Sequence, residues 1–182
     1  MIMQRRKKII IIIIIMILVV LVLSYGVYSV FQNNYRLGSD LYNAVNRAWI
    51  QSYNIVDSID SLEQELEDPD GSTAIIDRHY FDESIQSVYF HFGFGVNMPF
   101  LEEVSLKWYA RFTEIYQQTR SNEELQAMFL NGEMKIFRDQ VNHMVQALAD
   151  FSNSYQQMSD WERHWISWKD AQESLSEQVR IN

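Results

Sequence analysis

The sequence predicts an all-α protein in which one N-terminal transmembrane helix leads into an antiparallel extracytoplasmic bundle of about four to five helices. Three observations carry this reading. The first 31 residues join a basic cluster to a long uncharged apolar run. Pro occurs only twice and Gly six times in 182 residues. Beyond residue 41 the apolar spacing is helical almost throughout, with no alternating strand pattern.

The N-terminus sets the first element. Arg5, Arg6, Lys7 and Lys8 precede an uncharged stretch over residues 9–31, which is 23 residues or about 35 Å of helix, enough to cross ~30 Å of hydrocarbon. Val22-Leu23-Ser24 and Val27-Tyr28-Ser29 offer the small residues of a cleavage site. The apolar core of a cleavable signal is shorter, about 7–15 residues. A retained signal-anchor over 9–31 is therefore the expectation, with the basic segment 1–8 in the cytoplasm and residues 34–182 outside. Tyr25, Tyr28 and Tyr35 fall where an outer aromatic belt forms, and no second run of comparable length follows. The chain is expected to cross once.

After the span, Leu41, Val45, Ala48, Ser52, Ile55, Ile59, Leu62 and Leu66 alternate spacings of four and three. That is a coiled-coil seam, and it predicts a helix continuous with the span. Glu67-Asp68-Pro69-Asp70-Gly71-Ser72 ends it, since Pro69 cannot continue a helix. A second helix carries Ile76, Tyr80 or Phe81, Ile85, Val88 and Phe92, and stops at Gly93-Phe94-Gly95. Pro99 suits a third helix's first turn, and Leu101, Val104, Trp108, Phe112 and Ile115 form its buried face.

Ser121-Asn122-Glu123-Glu124 is a capping box opening a long fourth helix. Its seam runs Ala127, Leu130, Met134, Phe137, Val141, Met144, Leu148, Phe151, Tyr155, Met158. A second capping box, Ser159-Asp160-Trp161-Glu162, opens a fifth helix with Trp161, Trp165, Trp168, Gln172, Leu175 and Val179 on one face. Short turns make the order antiparallel, which returns the Ser159 junction to the neighbourhood of the bilayer.

Charge excludes one class of partner. The net charge is −9, and because four of the fifteen basic residues precede the span, eleven face 24 acids beyond it, about −13. A domain so acidic, with no basic stripe, does not neutralise phosphates, so nucleic acid is excluded as a partner. With no Cys there is no disulfide framework, thiolate zinc site or lipidated cysteine.

Chemistry-bearing patterns are few. His79 with Glu83, His143 with Asp139 and His164 with Asp160 have a carboxylate four residues away, but none is the Glu-x-x-His of di-iron bundles, and no metal or cofactor is expected. Asp68, Asp70, Gly71 and Asp77 can be set on a calcium loop, yet its first position is Leu66 and its twelfth lacks the bidentate Glu. Tyr89, Phe92, Phe94, Met98 and Phe100 could line an apolar pocket or plug a bundle end. The Trp161, Trp165, Trp168 stripe is most simply core packing, and its place near the membrane makes an interfacial or partner contact the alternative; Trp165 and Trp168 are expected in the core and Trp161 as the candidate contact for a partner. No nucleophile triad, paired catalytic carboxylates or P-loop is present, which points away from an enzyme.

In plan, a single anchor before an extracytoplasmic helical bundle is similar to the sensor ectodomains of chemoreceptors, although those have a second span and a cytoplasmic signalling region. Val45-Asn46-Arg47-Ala48-Trp49-Ile50-Gln51 resembles the first helix of the LemA family, whose later helices do not match this chain. The functional expectation is a non-enzymatic single-pass protein binding another envelope protein or itself, with a ligand-binding sensor ectodomain as the alternative.

Overall fold

One uninterrupted helix of 66 residues, α1 (Ile2–Glu67), runs about 100 Å at 1.5 Å per residue, and the remaining helices fold back on its second half. The computed structural model describes residues 2–67, 74–93 and 102–181, with side chains over 10–66, 78–87 and 104–181. Among the described residues every regular element is helical: α2 (Ala74–Gly93), α3 (Glu102–Gln118), α4 (Asn122–Leu130), α5 (Glu133–Gln157), α6 (Asp160–Trp165) and α7 (Trp168–Gln178). The all-α class and the long apolar N-terminal helix are as the sequence predicts.

The two halves of α1 do different work. Residues 10–30 are exposed on every side, and among the described residues this is the one helix long and apolar enough to cross a membrane. From Leu41 the seam turns inward: Leu41, Val45, Ala48, Ser52, Ile55, Ile59 and Leu62 are buried. Ala44 and Ser58 are buried beside them, because α1 packs against both α5 and α2 and a two-residue seam is too narrow for two neighbours. Small side chains at 44, 48, 52 and 58 let those helices approach closely.

Pairs across the interfaces give the directions. Asp60 and Glu63 of α1 meet Arg138 of α5, while Tyr42 stacks on Tyr155, centroids 4.6 Å apart. Sequence rises in one helix as it falls in the other, so α5 is antiparallel to α1. Asp57–Tyr80 and Gln51–Ser87 show the same for α2. Phe81, rather than Tyr80, is the residue α2 buries. Val104, Trp108, Phe112 and Ile115 form the buried face of α3, and Phe112 meets Phe137 of α5 edge to face at 5.7 Å.

Polar side chains close the turns. Arg78 of α2 donates to the Thr119 carbonyl at 2.9 Å, to that of Arg120, and to Asn122 Oδ1 at 2.8 Å. A cation at the end of α3 satisfies carbonyls that the helix leaves unpaired. Ser121 forms its capping box with Glu124.

The predicted long fourth helix is two helices. Gly132, at φ 82°, turns the chain between α4 and α5, a conformation that glycine adopts without steric cost. The seam changes face there: α4 buries Leu125 and Met128, not Ala127 and Leu130, and Leu130 is 82% exposed. After the turn the predicted register holds, with Met134, Phe137, Val141, Met144, Leu148 and Tyr155 buried. Asn131-Gly132 is a turn dipeptide inside an otherwise unbroken heptad pattern, and turn chemistry overrides the phase.

The predicted fifth helix also divides. Ile166 and Ser167 are extended, with ψ 143° and 96°, and Ser167 caps α7 by accepting from the Asp170 amide. Trp168, Leu175 and Val179 stay on the buried face of α7. Trp165 does not reach the core and is 62% exposed, because the extended pair rotates the face of α6 away from that of α7. The indole of Trp108 donates to the Val179 carbonyl at 2.7 Å in the interior, fixing the end of α7 to α3.

Candidate aromatic surface at the end of the apolar run

α6 is six residues long and needs external support, since one and a half turns do not hold themselves in water. Support comes from both ends. At its start the Ser159 hydroxyl accepts from the Glu162 amide at 3.3 Å, and the Glu162 carboxylate accepts from the Ser159 amide at 2.7 Å. The Ser159 hydroxyl also donates to the Glu162 carboxylate at 2.7 Å, and this bond first, with that from the Ser159 amide second, holds the Glu162 carboxyl below the ordinary glutamate range. At its end Asn34 of α1 donates to the carbonyls of His164, at 2.7 Å, and Ile166, at 3.0 Å. Two carbonyls that α6 cannot pair are thereby satisfied from α1.

Arg163 ties α6 back to α5. Its guanidinium lies 4.5 Å from the centroid of the Tyr155 ring, donates to the Tyr155 carbonyl at 3.2 Å and pairs with Asp160 at 3.2 Å. Burial raises the pKa of the Tyr155 hydroxyl, and the positive charge of Arg163 partly opposes that shift. Beyond the turn Trp168 donates to the Arg163 carbonyl at 3.1 Å and seats its ring against α1 where Gly38 has no side chain.

These constraints direct the aromatic face of α6 at one place on α1. Phe31 lies 4.7 Å from Trp165, edge to face, 6.1 Å from Trp161, stacked, and 5.6 Å from His164. Tyr35 stacks on His164 at 5.0 Å, and the two indoles meet at 5.5 Å. Trp161 is nevertheless 67% exposed, as is most of Trp165. Tyr25 and Tyr28 are exposed on the preceding turns of α1. Phe31 is the last residue of the apolar run, before Gln32, so an aromatic surface from two distant parts of the chain forms where that run ends.

Other sequence candidates lie elsewhere. Tyr89, Phe92, Phe94, Met98 and Phe100 fall outside the residues whose side chains are described, as do Asp68, Asp70, Gly71 and Asp77. His79 and Glu83 form an exposed pair at 3.2 Å. His164 faces the Asp160 carbonyl, not its carboxylate. Among the described residues no group of three or more His, Asp or Glu converges as a metal site. Phe31, Asn34 and Gly38 were absent from the sequence candidates, and Tyr35 was expected only as part of an outer aromatic belt. With Leu41, Val45 and Ala48, the positions 31, 34, 38, 41, 45 and 48 continue the same alternation of three and four, so the seam already begins at Phe31.

Comparison with protein-family models, with curated proteins and with solved structures finds no match to this chain. Its function is read from its own geometry.

Proposed function

We propose that the chain is a non-enzymatic single-pass membrane protein, with residues 1–8 cytoplasmic, 9–31 spanning the bilayer and 34–182 outside as an antiparallel helical domain. That domain recognises another envelope protein or a second copy of itself. The observation that supports this most is continuity: the exposed apolar run and the helix that organises the domain are the same α1. Whatever docks on the domain is then held at a fixed height, with no hinge between it and the span. An apolar surface as large as that of residues 10–30 is not left in water by a folded protein, and the basic cluster before it favours a cytoplasmic N-terminus.

Leu106, Leu130 and Ile136, exposed on the domain, are contact candidates, and Trp161 is a fourth for a partner that meets the domain at the membrane surface. A photoreactive residue placed at each of these positions in intact cells, followed by mass spectrometry of the adducts, tests the reading. A discrete protein adduct from at least one position is expected. Absence of protein adducts from all four, in chain shown to be folded and membrane-embedded, overturns it.

One feature favours the sensor alternative. A groove of about 350 Å³ is lined by Trp108, Ile136, Asp139, Gln140, His143, Arg180 and Ile181. Its mostly apolar lining with a few polar groups is the chemistry of a small-ligand site. A small molecule that raises the melting temperature of the parent chain and not of Arg180→Ala would favour this second reading.

A further inference from the structure

The exposed face of α6 and the end of the apolar run lie at the same height. At 1.5 Å per residue, ~30 Å of hydrocarbon starting near residue 9 ends close to residue 29. Side chains on a helix lean toward its N-terminus, so the Phe31 ring reaches back toward the apolar run. Trp161 and Trp165 pack on that ring and leave their other faces exposed. Tyr28 and Tyr25 stand exposed about one and two turns nearer the N-terminus. Tryptophan and tyrosine favour the headgroup level, where the ring meets acyl chain and the N–H or O–H meets water.

Resting on the reading of α1 as a membrane span, we infer that Trp161 and Trp165 dock onto the surface of that same bilayer, so that α6 is a second, interfacial membrane contact. The caps of α6, its ring stack on Tyr35 and the Asn34 bonds hold the two indoles in place before any lipid is met. Asp160 and Glu162 flank them, and the domain carries about −13, so the lipid it fits is zwitterionic rather than anionic. A lone spanning helix tilts freely within about 0–40°. A second contact beside its exit point restricts that tilt and the attitude of the whole domain.

The test uses the full chain in phosphatidylcholine nanodiscs, labelled with 5-fluorotryptophan and assigned with Trp161→Phe and Trp165→Phe. A nitroxide carried high on the lipid acyl chain should broaden the Trp161 and Trp165 resonances away while those of Trp108 and Trp168 persist. A water-soluble paramagnetic chelate should spare both. The chain has no Cys, so a fluorophore at Val20→Cys reports the span independently through its shielding from an aqueous quencher. With Val20→Cys shielded, indoles broadened only by the chelate overturn the docking inference alone. Indoles untouched by both agents are covered by protein, and that outcome overturns it too. A Val20→Cys probe open to the quencher removes the span, and the docking inference with it.

Discussion

Trp168 fills the space that a Cβ on Gly38 would occupy: indole atoms Cε2 and Cζ2 lie 2.4 Å from that position and Nε1 lies 2.8 Å from it. No real Cβ tolerates such an approach, and the ring has no freedom to withdraw. It is held by its bond to the Arg163 carbonyl and by Tyr155, 5.4 Å away. Gly38→Ala gains about 1 kcal/mol of helix propensity but overpacks the notch, a cost of about 1–3 kcal/mol. A net loss of stability is expected in denaturant unfolding of the detergent-solubilised chain. The loss should shrink in a Trp168→Leu background, where the clash is gone. Equal stability of Gly38→Ala and parent would show that α7 is not seated on α1 through this notch.

The other end of α7 depends on Trp108. Its indole donates to the Val179 carbonyl in the interior, and Trp108→Phe keeps most of the ring while stranding that carbonyl. The expected cost is about 1–3 kcal/mol. Amide exchange over residues 175–181 should accelerate more than exchange in α5. Uniform acceleration across the domain would instead make Trp108 a packing residue without a specific role at this end.

How much could be read in advance differs along the chain, for physical reasons. The seam from Leu41 to Leu62 and that from Met134 to Tyr155 were legible because burial there is periodic and apolar. The seam's true beginning at Phe31 was hidden because Asn34 and Gly38 occupy core-facing positions with no apolar side chain; Asn34 bonds carbonyls and Gly38 makes room. Two breaks were hidden by the opposite effect. Around Asn131-Gly132 and Ser167 the apolar phase continues unbroken, so periodicity favoured one helix, while the turn dipeptide and a third Ser-x-x-acid cap, Ser167 to Asp170, carried the stop signals. The site followed the same rule. Trp161 was singled out, but its neighbours on α1 are 130 residues away, a distance no local pattern spans.

The register break at Gly132 predicts a contrast between two residues that the heptad pattern treats alike. Phe137 is fully buried and Leu130 almost fully exposed. Phe137→Asp places an unpaired carboxylate in the core and should cost several kcal/mol or prevent folding. Leu130→Ser should change stability by no more than about 0.5 kcal/mol. Comparable losses from both would mean that α4 continues the α5 seam after all.

Membrane retention tests the apolar run itself. Chain in native membranes should resist extraction by high salt and by alkali, because a span is held by apolar burial that salt does not screen. Placing Ile17→Asp and Val20→Asp together in the run should release it or prevent insertion, since each carboxylate near the bilayer centre costs about 2.5–3.5 kcal/mol. A mature N-terminal peptide beginning near Tyr25 or Val30 would show instead that the run is removed.

Acid should loosen α6 before it affects α7, with a defined sign. Glu162 is held below the ordinary glutamate range by the Ser159 hydroxyl and then by the Ser159 amide. A carboxyl with a depressed folded pKa contributes stability that is fully present above its unfolded value, about 4.3, and lost as pH falls through the folded value. Protonation removes an acceptor from the Ser159 amide and a negative charge from the first turn of α6. After correction for intrinsic exchange, protection of the amides at Glu162 and Arg163 should fall relative to that of Leu175 below about pH 4. In Glu162→Gln, which has no charge to lose, the ratio should be flat over the same window. Parallel loss of protection in α6 and α7 in the parent chain would mean that this cap does not hold α6 in place.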